Sequence, residues 1–294
     1  GADGYAANGD ITVRGGQVTA GNNASFDAAR DINFLSSQNT QTQDGSSKSG
    51  SGSVGVGFGL GGSQNGFTIE IAASAAQGQM QGNGTTHQAT QVQAGNGLSL
   101  TSGRVTTLQG AQAMGETVLA DIGRDLTLTS SQDNQYYAQK DQNAGFGLSL
   151  CIPPLCFGTS SGSVSYGQTD INNNYNSTTQ QTGIAAGAGG YQMNVGNHTH
   201  LDGAVIASTA EPPKNLLSTE SLGVTDLSNH ANYSGGSWGG SVGFSGSIGD
   251  QSNGGQNAGA PTETSWGGPS GSPILGIPPG DSASSVTRSD ISPG

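Results

Sequence analysis

Gly123-Arg124-Asp125-Leu126-Thr127-Leu128-Thr129-Ser130-Ser131-Gln132-Asp133 is the stretch whose reading decides the fold. Leu126 and Leu128 stand at i and i+2, which puts both side chains on one face of a strand, and the preceding Gly-Arg-Asp is turn chemistry. The signature also occurs earlier, as Arg30-Asp31-Ile32-Asn33-Phe34-Leu35-Ser36-Ser37-Gln38, at a constant offset of 94 residues (Arg30 to Arg124). Outward from the two copies, Thr12, Gly16, Gly21 and Asp27 meet Thr106, Gly110, Gly115 and Asp121, and Ile11 meets Val105. A long module is repeated.

Within each module runs a shorter period. Ile11 and Val13 recur as Ile32 and Phe34, Val105 as Leu126, and Leu98, Leu100 and Leu108 as Val118, Ala120 and Leu128, with turns such as Gly21-Asn22-Asn23 and Gly95-Asn96-Gly97 between. One coil of about 20 residues cannot bury its own inner face, whereas coils stacked about 4.8 Å apart share a core and pair their backbones. The expectation is an all-β parallel β-helix, a solenoid.

Composition agrees with many short strands and tight turns. Of 294 residues, 52 are glycine, 31% are hydrophobic and 5% aromatic, too thin for an ordinary core; only 10% are charged, too few for a chain kept unfolded by charge. Eight Lys plus Arg against 20 Asp plus Glu, a net −12, leave few cations for phosphate, so nucleic acid is not an expected partner. No apolar run is long enough for a membrane-spanning helix. Gly1-Ala2-Asp3-Gly4 is no signal peptide, and the chain reads as a segment of a longer one.

Both modules are interrupted after Ser-Ser-Gln. Residues 39–85 and 133–178 lose the coil period and alternate instead: Val54, Val56, Phe58 and Leu60, then Phe67, Ile69 and Ile71; in the second, Phe146, Leu148 and Leu150, then Val164 and Tyr166. These read as β-hairpins extruded from the stack. Coils are expected over 1–233 apart from the insertions. A third extrusion is expected from Ser234, with Trp238, Val242, Phe244 and Ile248 alternating, and a Gly/Ser/Pro-rich flexible segment follows Gly249 to residue 294. Cys151 and Cys156, flanking Ile152-Pro153-Pro154-Leu155, permit a small disulfide at a hairpin tip, with two unpaired thiols as the other reading.

The 123–133 run, the stretch Gly190 to Thr209 with Val195-Gly196-Asn197-His198-Thr199-His200-Leu201-Asp202-Gly203-Ala204-Val205-Ile206, the stretch Leu222 to Tyr233, and Val286-Thr287-Arg288-Ser289-Asp290-Ile291 resemble the haemagglutinin-repeat region of two-partner-secreted exoproteins, the filamentous haemagglutinins and contact-dependent growth inhibition proteins. The resemblance covers nearly the whole chain. It implies right-handed coils, export through an outer-membrane transporter recognised by a missing N-terminal region, a secreted product at the bacterial surface, and, in growth inhibition systems, a place ahead of a C-terminal toxin in a region associated with delivery across a target cell's outer membrane.

Catalytic, cofactor and metal sites are not expected. His198 and His200 could chelate a metal from one strand face, but two more ligands would be needed and Asp202 is the only acid in register. Asp121 and Asp125 could form a carboxylate pair, yet Asp27 and Asp31 repeat their spacing, which points to turn chemistry with Arg30 and Arg124. Gly55-Val56-Gly57-Phe58-Gly59 lacks the helix and Lys-Ser of a phosphate loop.

Strands alternating small with apolar residues are also the pattern of outer-membrane barrels. Val54, Val56, Phe58, Leu60, Phe67, Ile69, Ile71, Phe146, Leu148, Leu150, Val164, Tyr166, Trp238, Val242 and Phe244 are therefore candidates for engaging a target membrane. The hairpins are expected to pack along the stack's flank or to project from it; in the isolated chain a second sheet along the flank with these faces hidden is favoured, because exposed apolar edges aggregate. The favoured function is a filament and delivery element; the alternative is an adhesin binding host glycans or proteins through outward Asn, Thr and Tyr.

Overall fold

A computed structural model describes residues 8–59, 64–248, 264–276 and 280–294. They are almost entirely strand, and their one helical turn is the 3-10 segment Pro212–Lys214. No helix is long and apolar enough to cross a membrane.

The strands rise through six levels. The first holds β1 (Ile11–Arg14), β2 (Gln17–Ala20) and β3 (Ala24–Ala28). The second starts with β4 (Ile32–Leu35), is interrupted by β5 (Ser37–Gly59) and β6 (Gln64–Gln88), and resumes with β7 (Thr90–Ala94) and β8 (Gly97–Ser102). The third holds β9 (Val105–Gln109) and β10 (Ala111–Ile122). The fourth starts with β11 (Asp125–Thr129), is interrupted by β12 (Asp133–Ser177), and resumes with β13 (Gly183–Val195). The fifth holds β14 (His198–Asp202), β15 (Val205–Ser208) and β16 (Leu216–Ser218). The sixth starts with β17 (Ser221–Thr225), is interrupted by β18 (Leu227–Ile248), β19 (Thr264–Gly276) and β20 (Asp281–Thr287), and closes with β21 (Asp290–Ile291).

Strands of successive levels pair in parallel. One sheet runs β1-β4-β9-β11-β14-β17; the other runs β2-β7-β10-β13-β15-β21, with β8 and β16 on the second halves of the long strands β10 and β13 and β3 beyond β8. Register aligns the inward residues into columns: Val13, Phe34, Leu108, Leu128, Leu201 and Val224 in the first sheet, Val18, Val92, Ala113, Ile184, Ile206 and Ile291 in the second. The middle members are fully buried in one continuous core. Each buried Leu or Ile contributes about 1.5–3 kcal/mol, so a thin hydrophobic composition suffices when a few residues per level all face inward.

The turns carry a polar ladder. Asp10 Oδ1 accepts the Asp31 N–H, Asp31 Oδ1 the Val105 N–H, and Asp125 Oδ1 the His198 N–H, so carboxylates at the corner hold the backbone of another level. Arg104 pairs with Asp31 at 2.6 Å, and Arg30 approaches Asp10 at 3.6 Å. The Arg104 guanidinium holds the Asp31 carboxyl below its ordinary value, against the upward push of burial. Burial pushes Asp125 up, but the Arg124 and Asn197 side chains outweigh it and the net direction is down.

The interruptions leave at one corner of every second level, between the first sheet and the second. In the uninterrupted levels the same corner is turned by Gly15, Gly110 and Gly203, with φ of +58°, +60° and +59°. A side chain there would be strained, and at Gly110 it would also collide with Ser36 and Ser131, through which the hairpins depart.

Two expectations about the levels need correction. Val105 is not the counterpart of Leu126: Thr106 pairs with Leu126 and is buried, its hydroxyl 2.9 Å from that of Ser102, while Val105 pairs with Asp125. The true step from β1 to β9 is therefore one residue longer than the sequence alignment, and Gly15, not Gly16, matches Gly110. The third extrusion begins with β18 at Leu227, ahead of Ser234, and the stretch expected to be flexible contains β19, β20 and β21. Ser and Thr suffice at a sheet edge, where pairing needs backbone and not apolar bulk: β20 pairs with β18, and Ser289 Oγ and Ser292 O are bonded to Ala204 N and Tyr191 Oη.

Candidate functional site: an apolar sheet face

The interruptions do not form separate hairpins. They join in one antiparallel sheet, ordered β19-β18-β12-β6-β5, with β20 also on β18. β12 doubles back on itself: Gln142 Nε2 donates to Gln168 Oε1 at 3.1 Å, and a methyl at Gly147 would lie 3.2 Å from Ser163 Oγ. Its outgoing arm pairs with β6 and its returning arm with β18. Cys151 and Cys156, at the bend, are disulfide-bonded with Cα atoms 5.0 Å apart.

Directly paired residues of an antiparallel sheet share a face. Val54 pairs with Ile71 and Ile71 with Leu148; Val56 pairs with Ile69 and Ile69 with Leu150; Phe58 pairs with Phe67. Across the bend, Phe146 lies in the row of Val164, which pairs with Val242; Phe244 pairs with Gly162, and its ring covers the space where a Cβ would be. Tyr166 and Trp238 are on the same face, rings 5.1 Å apart. All fourteen described candidates thus fall on one face; Leu60 lies outside the described residues. The other face carries Ser53, Gly55, Thr68, Glu70, Ser149 and Ser163.

The apolar face is open, contrary to the expected flank packing. Val54 is 78% exposed, Val56 73% and Trp238 52%, and among the described residues the sheet's strands make their extensive contacts with one another. The physical reason is direction. The strands leave the corner and continue outward; β5 alone, at 23 residues and about 3.3 Å each, reaches about 75 Å.

Along that length the apolar residues occupy a band. On β6 it runs from Phe67 through Ile69, Ile71 and Ala73 to Ala75, a rise of about 27 Å. In the next row inward Lys48, Gln77 and Gln142 line up, and beyond it Gln79 and Lys140. Phe58 and Phe67, ring centroids 4.8 Å apart, mark the outer border; Tyr166 and Trp238 mark the inner one. Two exposed apolar residues not singled out from sequence stand at the sheet's tip: Ile152 and Leu155, 48% and 68% exposed in the cystine loop, which lies against Gly66. Apolar residues on both sides of Pro153-Pro154 were the available signal, since a loop in water is ordinarily polar.

No group of three or more His, Cys, Asp or Glu able to hold a metal occurs among the described residues. Asp121 is not a turn residue: it lies in β10, in register with Asn194, whose Nδ2 donates to it at 3.1 Å, while Asp125, at the start of β11, is engaged by Arg124 and Asn197.

A family model described as "Hemagglutinin repeat" matches residues 2–144. The chain is 41% identical over 229 residues, 78% of its length, to "Deoxyribonuclease CdiA" of Dickeya dadantii (strain 3937). It is 41% identical over 247 residues, 84% of its length, to "Deoxyribonuclease CdiA" of Yersinia pseudotuberculosis serotype O:3 (strain YPIII), and 40% identical over 243 residues, 83%, to "tRNA nuclease CdiA" of Escherichia coli (strain NC101). The matches span only 7%, 22% and 7% of those relatives. No solved structure matches the chain. With the repeat model over its first half and two-fifths identity over most of its length, the chain belongs to the haemagglutinin-repeat exoproteins of the contact-dependent growth inhibition type, which are secreted and exposed at the bacterial surface.

Proposed function

We propose that this chain is a non-catalytic filament and delivery segment whose antiparallel sheet engages the outer membrane of a target cell. The six levels serve as turns of a right-handed parallel β-helix, a stiff support from which the sheet projects. The observation that carries the reading is the band. A single apolar face about 27 Å tall, bordered by aromatic pairs, approaches the thickness of a bilayer's hydrocarbon core, and its polar reverse face follows the dyad pattern of membrane strands. Lys48 and Lys140, two of the chain's three lysines, stand just inside the inner border, where anionic headgroups would meet them.

The relatives support a division of labour. Segments of nearly equal identity occur in proteins named deoxyribonuclease and tRNA nuclease, so what is shared does not track the reaction. Toxicity would reside in a C-terminal toxin domain of the full-length protein, and export would use an outer-membrane transporter.

The test is cosedimentation of the purified chain with vesicles of outer-membrane lipid, with protease mapping of residues 50–75 and 143–168. Protection only when vesicles are present supports the reading; no binding and unchanged cleavage overturn it. An adhesin is favoured by one other observation: on the reverse face near the sheet's root, Gln41, Gln43, Gln135, Tyr137 and Tyr175 flank a groove floored by Gly82 and Gly84, a surface of amides and rings suited to a glycan. Glycan binding without membrane protection would favour it.

A further inference from the structure

His198 and His200 stand two residues apart on β14, on its outward face, with rings nearly parallel (21°) and centroids 6.0 Å apart. Beside them β17 places Gly223 opposite His200. Because that position has no side chain, the two rings lean over it. A methyl at Gly223 would lie 2.7 Å from Nδ1 of His200 and 3.2 Å from Nε2 of His198. The other nitrogen of His198, Nδ1, is 2.7 Å from Ser221 Oγ, a contact that orients the ring and leaves Nε2 for the shared space. Neither converging nitrogen has a partner among the described residues.

We propose that His198 Nε2 and His200 Nδ1 bind one divalent cation of the zinc, nickel and copper class over Gly223. Imidazole nitrogen is the donor these ions favour, and i, i+2 on a strand is the spacing that puts two rings on one side. Metal–nitrogen bonds are about 2.0–2.1 Å, so the ion would sit above the glycine backbone, out from the place of a Cβ, and both rings would turn to meet it, as side chains on an open strand face can. Water completes the coordination. Calcium and magnesium are not candidates, because the nearby carboxylates are committed: Asp125 Oδ1 accepts from Asn197 Nδ2 and the His198 N–H, and Asp202 from Thr225 Oγ1. The expectation from sequence, that two histidines fall short of a site, assumed a closed structural site with four protein ligands; an open site needs fewer.

The experiment is calorimetric titration of the untagged chain with zinc, nickel and calcium chlorides, and electron paramagnetic resonance with one equivalent of copper(II). One saturable site for zinc and nickel, none for calcium, and a copper spectrum split by two nitrogens are expected. His198→Ala and His200→Ala each weaken binding about tenfold or more. Gly223→Val, which keeps both rings but fills the space, does the same, whereas His230→Ala changes nothing. Circular dichroism matching the parent's establishes that each variant is folded. No saturable binding, or binding that survives His198→Ala or Gly223→Val in folded protein, overturns the proposal.

Discussion

Asp133 holds His87 twice: its Oδ1 accepts the His87 backbone N–H at 2.6 Å and lies 3.2 Å from the ring Nδ1. Its Oδ2 takes the Thr179 hydroxyl at 2.5 Å, and the far ring nitrogen of His87 lies 3.1 Å from Gln38 Nε2. One carboxylate thus gathers the start of β5, the end of β6 and both ends of β12, where the projecting sheet joins the levels. Asp133→Ala is predicted to cost about 1–3 kcal/mol, felt mainly at this junction. Hydrogen exchange should accelerate around residues 38, 87 and 179 and stay unchanged at Leu126; uniform acceleration would contradict a local role.

Leu126→Ala should cost about 2–5 kcal/mol, because Leu126 is fully buried between levels that cannot collapse into the cavity. Val54→Ala, on the open face, should change stability by less than about 0.5 kcal/mol. Urea midpoints of the two variants check this; similar midpoints would mean that the apolar face is covered in solution.

Gly110→Ala tests the corner. Its φ of +60° disfavours any side chain and the new methyl meets Ser36 and Ser131, so a loss of about 1–3 kcal/mol is predicted. Gly16→Ala, one residue from a corner and free of such contacts, should be far milder. Thermal melts of both variants decide it.

The Asp31–Arg104 pair predicts a pH dependence. Its carboxyl titrates lower when folded than when unfolded, so its contribution is fully present above the unfolded value of about 4 and disappears as pH falls through the lower folded value. Asp31→Asn should therefore lower the urea midpoint at pH 7, and the gap to the parent should shrink as the pH is taken below the unfolded value. A gap of constant size would assign the effect to hydrogen bonding alone.

Ile71→Glu, in the middle of the band, should abolish vesicle binding while leaving the melting temperature within a few degrees of the parent's, since the residue does not contribute to the buried core. Ser53→Glu, on the reverse face of the neighbouring strand, should leave binding intact. Equal losses from both would argue against a sided surface.

Much of this architecture is legible in the residues, and the illegible parts have identifiable causes. Ile11 over Ile32 and Leu108 over Leu128 can be read from spacing alone because both partners are apolar and about 20 residues apart. Thr106 broke the pattern: a buried hydroxyl satisfied by Ser102 looks like an outward residue, and the alignment slid to Val105, turning that strand's faces over. Alternation at Val54, Val56 and Phe58 marks strands but not their neighbours. Val164 meets Val242 across 78 residues, and nothing local encodes which of several similar Gly/Ser-rich strands lies beside which. The convergence over Gly223 was hidden for the same reason, since the glycine that makes room lies on another strand.

The shared exit corner makes the molecule extensible. Each pair of levels contributes its own outgoing and returning strands beside those already present, so one more copy of the module would widen the side sheet while leaving every existing contact in place. Height of the support and breadth of the apolar face are thereby set by a single variable, the number of repeats, and gene duplication can tune reach and contact area together.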